Sequence, residues 1–370
     1  MSDDAVPVLH VLVSTQPGGG PQHVLTAAVG LRARGWRPLV AGPAGGALVA
    51  RFREAGVETL PLASDGLSPL TLVRLVRIVR RHGVRLLHSH GKGAGVHARL
   101  AARLTGVPAV HTLHGIHYER YPAPARAAYL ALERRLSAWT RVVINVSRAQ
   151  EQEGLALGLF ERRQSVVILN GVDVARLTAR ALDRWDARAE LGLDQAAPVV
   201  GCAARFDEVK RLDLLLRAVA RVKPAATVVL IGAGAEAGRL RALAAELGLG
   251  PRARFTGEVV EAARLFAAFD VFATVSRKEG MPLAVVEAMA LGLPVVASDI
   301  AAHREVLGPA SEGLVEAGDD ALAARLGTLL GDGARRDRLG AENRTRARSE
   351  FDVRHMLSAL EGVYRDVLGL

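Results

Sequence analysis

Two glutamates eight residues apart, Glu279 and Glu287, sit in the run RKEGMPLAVVEAM at residues 277–289. An apolar segment at 271–275 leads into it, a Gly-Met-Pro turn follows, and an apolar helix start closes it. Proline suits a first helical turn, because its missing N–H would have no partner there. Such a turn aims backbone N–H groups and the positive end of a helix at one place, which seats an anion. Carboxylates beside that seat do nothing for a phosphate, but they accept hydrogen bonds from the hydroxyls of an attached sugar or ribose. A short acidic pair near a strand-to-helix turn also occurs without any ligand, so the rest of the chain has to decide.

Further candidates lie elsewhere. Arg205 follows an apolar strand at 199–203, and Lys210 comes five residues later, before a helix. A guanidinium and an ammonium at one strand end would clamp a diphosphate; two solvated surface cations are the alternative. Gly18, Gly19 and Gly20 either let backbone approach a ligand closely or simply make a tight turn. The run GAGAEAG at 232–238 lacks the G-x-G-x-x-G spacing and follows the second strand of its half, so a dinucleotide site is not expected. His88, His90, His111, His114 and His117 cluster in sequence. An HxxHxxH run across a strand end is not expected to put three imidazoles on one face, and no thiol or carboxylate joins them. No metal site is expected; one or two of these rings should serve as hydrogen-bond partners or proton handlers.

The elements that must position these residues alternate. Strands are expected at 8–13, 39–41, 86–88, 109–113, 142–146 and 166–169. Helices are expected from the glycine loop to about residue 34 and at 70–81, 93–104 and 125–138. Residues 172–196 lack strand patterning and read as a connector. The alternation then restarts with strands at 199–203, 227–231, 253–255, 271–275 and 295–297. Helices are expected from 212 and 237, at 262–269 and 282–291, and onward to a last one at 353–368. This pattern predicts two doubly wound α/β domains, 1–180 and 181–352, with an interdomain cleft at their strand ends where ligands of such folds bind. The last helix, 353–370, is free to return to the first domain.

Bulk composition narrows the class. A chain of 370 residues is long enough for two domains, and aromatics at 4% imply an aliphatic core. The single cysteine, Cys202, rules out an internal disulfide and suits a reducing compartment. No signal peptide is expected from the acidic start and short apolar run of residues 1–13, and no segment is long enough to span a membrane. The expected location is cytoplasmic. Residues 1–180 hold 23 Lys and Arg against 11 Asp and Glu, a net +12, whereas the remainder hold 25 against 27, a net −2. The first half should therefore meet something acidic. Arg74, Arg77, Arg81 and Arg85 fall at spacings of three and four, on one helix face and just beyond it. Two readings stay open: docking on anionic lipids at the inner face of the cell membrane, or a helix whose arginines only face water. No module for nucleic acid is visible, and none is expected as a partner.

Taken together the motifs resemble glycosyltransferase family 4, retaining enzymes of the GT-B fold. The resemblance rests on GGGPQ at 18–22, HTLHG at 111–115, INVS at 144–147 and LNGVD at 169–173. In the second half it rests on ARF…K at 204–210, LIGAG at 230–234, FTGEV at 255–259 and SRKEGMPLAVVEAMALGLPVVASD at 276–299. It implies two Rossmann-like domains and transfer of a sugar from a nucleotide-diphosphate sugar, such as a UDP- or GDP-sugar, to a hydroxyl. The acceptor implied is a glycan or a polyprenyl-diphosphate-linked glycan, in cell-surface polysaccharide or glycolipid synthesis. Carried over by position, Glu279 contacts the hydroxyls of the donor sugar and Glu287 holds the ribose. Arg205 and Lys210 neutralise the diphosphate, and His114 sits over the donor sugar. Gly19 and Gly20 border the diphosphate, and Gly280, Met281, Pro282 and Leu283 form the anion seat. No protein nucleophile, metal or cofactor is implied. Two other functions stay in view: a sugar-phosphate-forming synthase, and a catalytically silent subunit that binds a partner glycosyltransferase. Two places depart from the family pattern. Arg211 replaces a glycine, and the loop IAAHRE at 300–305 carries alanines where a glycine pair usually precedes Glu305.

Overall fold

The computed structural model describes residues 5–64, 66–116, 118, 121–316 and 318–370. The chain forms two compact units, Met1–Gly171 with Val353–Leu370, and Val172–Asp352. The division thus falls at Gly171, ahead of residue 180, and Val353–Leu370 belongs to the first unit. Strand patterning is lost from residue 172, where the division falls, so the expected boundary at 180 came late.

In the first unit the strands are β1 (Val6–Leu12), β2 (Trp36–Gly42), β3 (Glu58–Pro61), β4 (Leu86–His90), β5 (Ala109–Leu113), β6 (Val142–Asn145) and β7 (Ser165–Val167). Between them run α1 (Gly19–Ala33), α2 (Leu48–Glu54), α3 (Pro69–Arg81), α4 (Lys92–Thr105), α5 (Ala123–Ser137) and α6 (Arg148–Ala156). All pairings are parallel, in the order β3-β2-β1-β4-β5-β6-β7. Period-two alternation splits β1 and β4 between two cores. Val8 and Leu86 face one core with Ala27 and Leu31 of α1, while Leu9 and Leu87 face another with Leu75 of α3 and Ala98 of α4. The last helix, numbered α15 in chain order (Val353–Leu368), caps the first of these with Met356, Leu357, Leu360 and Tyr364. Gly30 of α1 makes room for it, since a Cβ there would lie 2.3 Å from Leu357 Cδ1.

The second unit opens with α7 (Val174–Arg180) and α8 (Arg184–Glu190), so the presumed connector is helical. Each helix is capped by an aspartate, Asp173 and Asp183, a signal that strand-seeking overlooks. The strands are β8 (Val199–Ala203), β9 (Thr227–Ile231), β10 (Ala253–Gly257), β11 (Val271–Thr274), β12 (Val295–Ser298) and the short β13 (Leu314–Val315). The helices are α9 (Leu212–Arg221), α10 (Ala237–Glu246), α11 (Leu283–Ala290), α12 (Ala301–Leu307), α13 (Asp319–Gly331) and α14 (Gly333–Glu350). Residues Ala262–Ala268, expected as an α-helix, wind as 3-10 helix instead. This sheet is also parallel, in the order β10-β9-β8-β11-β12-β13.

In both sheets the strand order reverses once, between β1 and β4 and between β8 and β11. Loops leaving adjacent strands toward opposite sides open a crevice at such a point. Elements missed in the sequence, namely α2, β3, α6 and β13, are short, and β3 is mostly exposed or half-buried, leaving no apolar period to read.

Candidate active site

In the second unit the site residues leave the carboxyl ends of β8 and β11, the two strands at the order reversal. After β8 the chain turns at Ala204–Phe206, with Phe206 buried and its N–H donating to Ala233 O at 2.7 Å. Two glycines allow that approach. A Cβ on Gly232 would lie 1.9 Å from Ala204 O, and one on Gly234 would lie 2.2 Å from Phe206 O. The GAGAEAG run therefore seats the Arg205 segment. Arg205 itself is exposed and pairs with Asp207. Asp207 also caps the 3-10 turn Glu208–Lys210, accepting from Lys210 N at 3.3 Å. Lys210 Nζ donates to Glu279 Oε1 at 2.6 Å, both side chains being largely buried. Arg277 N donates to Val209 O at 2.9 Å and ties the two turns together.

Arg211 has φ +51°, the left-handed region that favours glycine, which gives the departure from the family pattern a backbone meaning. Each of the two cations has a carboxylate partner, Asp207 for Arg205 and Glu279 for Lys210.

The turn Gly280–Pro282 is buried and delivers α11. Pro282 stands at the helix N-cap and the helix begins at Leu283, one residue later than expected. The cap still serves, because the first N–H groups of any helix, here those of Leu283 and Ala284, have no acceptor within it. Glu287 lies just over one turn into α11. Burial pushes its carboxyl up to about 7, so near neutral pH it is poised between acid and anion.

One residue here escaped sequence reasoning. His303 of α12 is fully buried, and its Nδ1 donates to Ser298 O at 2.7 Å. That bond leaves Nε2 as an acceptor, and no hydrogen-bond partner meets it among the described residues. Burial holds the ring below its usual pKa, and the charges of Glu279 and Lys210 both reach it. Its place beside Ala301 and Ala302 in the IAAHRE segment was the available signal.

In the first unit the glycine loop follows β1 and α1 begins at Gly19. A Cβ on Gly20 would touch the His114 ring at 3.4 Å, so His114, just past β5, packs over that loop. His114 belongs to a larger group than the sequence suggested. Alternation on β1 and β4 sets His10, His88 and His90 on the same face of the sheet, and His23 comes in from α1. His10 Nδ1 meets His90 Nε2 at 3.0 Å, and His90 Nδ1 meets His114 Nε2 at 3.1 Å. His88 is held by Tyr364 Oη at 2.5 Å and Thr112 Oγ1 at 2.6 Å. His111 lies on the other face, against Ser89 Oγ at 2.9 Å. His117 is outside the described residues.

Two trios of imidazole nitrogens converge within 4.8 Å, His10-His88-His90 and His23-His90-His114. Neither trio is the HxxHxxH run, since His111 lies on the other face and His117 is outside the described residues; strand pairing and α1 instead recruit His10 and His23, which that reading did not include. Burial drives all these rings toward the neutral form, His10 to about 3 and His23 to about 4, with His88, His90, His111 and His114 also well below their usual value.

Residues 17–176 match the family described as Glycosyltransferase Family 4, and residues 183–346 match Glycosyl transferases group 1. A D-inositol 3-phosphate glycosyltransferase of Stackebrandtia nassauensis is 31% identical over 309 residues, covering 76% of this chain and 68% of that protein. The lipopolysaccharide core biosynthesis mannosyltransferase LpsB of Rhizobium meliloti is 30% identical over 250 residues, covering 64% and 71%. In fold the chain is similar to HepE of Anabaena, solved with UDP and glucose, at a TM-score of 0.87 and 24% identity over 98% of this chain and all of that one. It is also similar to WaaG, a glycosyltransferase involved in lipopolysaccharide biosynthesis, at a TM-score of 0.76 and 16% identity over 98% of this chain and 100% of that one. Two Rossmann-like parallel sheets, the motif between β11 and α11, and these relatives lead to one assignment: the chain belongs to glycosyltransferase family 4 and is a glycosyltransferase of the GT-B fold.

Proposed function

We propose that this glycosyltransferase moves a sugar, with retention of anomeric configuration, from a nucleotide-diphosphate sugar to a hydroxyl of a glycan or lipid-linked acceptor in cell-surface polysaccharide or glycolipid synthesis. The observation that carries the reading is the Lys210–Glu279 contact across the ends of β8 and β11, beside the start of α11. A cation and a carboxylate beside a helix start at the order reversal suit a ligand that is part diphosphate and part sugar. The relatives point the same way. One is a GDP-mannose-dependent mannosyltransferase of Corynebacterium glutamicum, and HepE was solved with UDP-glucose.

In this reading Glu279 accepts from donor-sugar hydroxyls and Glu287 from the ribose. Gly280, Met281, Pro282 and Leu283 frame the diphosphate in the second unit. The leaving diphosphate gains charge as the sugar becomes oxocarbenium-like. Arg205 and Lys210 then exchange Asp207 and Glu279 for that growing charge, which is where preorganised donors lower a barrier. His114, neutral and packed on Gly20, offers a hydrogen bond to the donor sugar. The diphosphate oxygen itself takes the proton of the acceptor hydroxyl, and no protein nucleophile takes part.

Thermal unfolding with UDP-, GDP-, ADP- and dTDP-sugars tests the donor site. Ligand at about a hundred times its Kd adds about 2.7 kcal/mol of stability. One nucleotide class should stabilise wild type and fail with Glu287→Ala. No shift with any of them would favour a silent subunit that binds a partner glycosyltransferase. Proton NMR of the product anomer tests retention, and an inverted product sinks that part. The relatives named D-inositol 3-phosphate glycosyltransferase favour a second acceptor class, a small phosphorylated polyol, which product analysis would show.

For location we propose the cytoplasmic face of the membrane, reached through α3. Thr71, Leu75 and Val79 of α3 are buried against its own unit, whereas Arg74, Arg77, Arg81 and Arg85 are exposed. Leu67 and Leu70 stand beside them, 73% and 68% exposed, an apolar tip with a cationic collar. Each basic residue near an anionic surface contributes about 1 kcal/mol. No helix among the described residues is long and apolar enough to cross a membrane. Sedimentation with anionic vesicles should carry the protein down at low salt, and a protein left wholly in the supernatant would remove the membrane from this reading.

A further inference from the structure

We infer that His23, His90 and His114 form a binding site for a divalent transition metal of borderline softness, with zinc as the representative ion. The chain of observations starts with His23. It is 2% exposed, and among the described residues neither of its ring nitrogens has a hydrogen-bond partner. The Asn170 side chain lies near enough to raise its pKa a little, but no hydrogen bond of normal geometry forms. A buried imidazole with both nitrogens idle forfeits the water bonds it gave up on folding. Its ring centroid stands 5.1 Å from that of His114 and 5.8 Å from that of His90, so the idle nitrogens face two further rings.

The other two nitrogens are already at ligand spacing. His90 Nδ1 and His114 Nε2 are 3.1 Å apart. Two nitrogens on one tetrahedral zinc, each about 2.0–2.1 Å from it, stand about 3.3 Å apart. The three donor atoms lie within 4.8 Å of one another, so a small side-chain rotation of His23 completes the set. The opposite nitrogen of His90 is braced as well, because Nε2 meets His10 Nδ1 at 3.0 Å. With Nε2 carrying the proton and donating to His10, Nδ1 presents its lone pair, which is the way outer hydrogen bonds orient ligating histidines. The rival trio is poorer, since His88 already bonds Tyr364 and Thr112 and would have to abandon one of them.

Ligand chemistry sets the ion class. Three neutral imidazoles and no carboxylate reject magnesium and calcium, which require oxygen, and accept zinc, cobalt, nickel or copper. The fourth position falls to water or an anion, beside the Gly18–Gly20 loop that Gly20 brings against His114. The site uses His114, which the proposed mechanism sets beside the donor sugar. On that reading, bound metal would inhibit transfer.

The test reads binding and needs no catalysis, so it survives failure of the transferase assignment. The full chain is titrated with zinc by calorimetry, and with cobalt by visible absorption, which reports tetrahedral nitrogen ligation. One equivalent with micromolar affinity, a cobalt spectrum of tetrahedral intensity, and at least a tenfold loss in His23→Gln are expected. The His97→Gln variant serves as control, because His97 is buried elsewhere, bonded to Gly93 O and Ser68 N. Circular dichroism confirms that each variant is folded. If His23→Gln does not fold, the cobalt spectrum of wild type decides alone. No zinc bound at submillimolar concentration, or His23→Gln binding as tightly as wild type, overturns the site. Loss in a His88→Asn variant with full retention in His23→Gln overturns it equally, in favour of the other trio.

Discussion

Replacing Glu287 by glutamine should stabilise the protein in alkaline solution and do so less in acid. The carboxyl is held at about 7 in the folded chain against an ordinary 4.5, and burial is the cause. Between those values the folded state binds a proton that the unfolded state has released, so stability falls as pH rises. The penalty begins near pH 4.5 and is complete above about 7. Carrying a carboxyl over that interval corresponds to about 3 kcal/mol, and because Glu287 is only half-buried by surface exposure, solvent screening reduces this to about 1–3 kcal/mol. Glutamine has the same shape and no charge. Any cost of burying its amide is the same at every pH and cancels in the comparison. Urea unfolding of wild type and Glu287→Gln at about pH 5 and about pH 8 should show the variant gaining about 1–2 kcal/mol on wild type between the two. A difference that is flat with pH, or that grows toward acid, would refute the account of Glu287 as a carboxylate strained by desolvation. If Glu287 holds the ribose as proposed, the same variant should bind nucleotide about tenfold to a hundredfold more weakly, because a charged hydroxyl acceptor is gone. Stability gained where affinity is lost is the signature of a site that stores free energy for its ligand.

Arg205→Ala and Lys210→Ala should each slow steady-state turnover by about tenfold to a hundredfold or more, about 1.5–3 kcal/mol of leaving-group stabilisation, with kcat falling more than KM rises; an unchanged kcat would clear either residue of that role. Gly232→Ala should cost at least about 2 kcal/mol in urea unfolding, because its Cβ would fall 1.9 Å from Ala204 O; wild-type stability would show that the Arg205 segment does not depend on that close approach. Tyr364→Phe should cost about 1–2 kcal/mol by stranding His88 Nδ1 in the core, and an unaltered melting temperature would count against α15 as a polar anchor of the first sheet.

Much of the fold is legible in the chain because apolar runs bounded by turn formers are local facts. Strands β5, β8 and β9 and the helix α15 match their expected spans, and the ends of α9 and α10 that were named match as well. The motif between β11 and α11 is equally local: a strand, a Gly-Met-Pro turn and a helix start are contiguous, so a candidate anion seat with glutamates at 279 and 287 can be read without coordinates. Short elements were lost for the same reason. The exposed to half-buried strand β3 and the aspartate-capped α7 and α8 carry no clear apolar period.

What the tertiary structure decided is who meets whom. No spacing shows that Lys210 rests on Glu279, 69 residues further along the chain, or that Arg205 rests on Asp207. The histidines show it most clearly. Residues 88, 90, 111, 114 and 117 look like one cluster in sequence, yet pleating sends His111 to the opposite face, while His10 and His23 join from β1 and α1. The shifted carboxyl of Glu287 belongs to the same class of fact. Composition names the group that titrates, but its proton affinity is set by the water that distant chain excludes, and only the packed fold determines that.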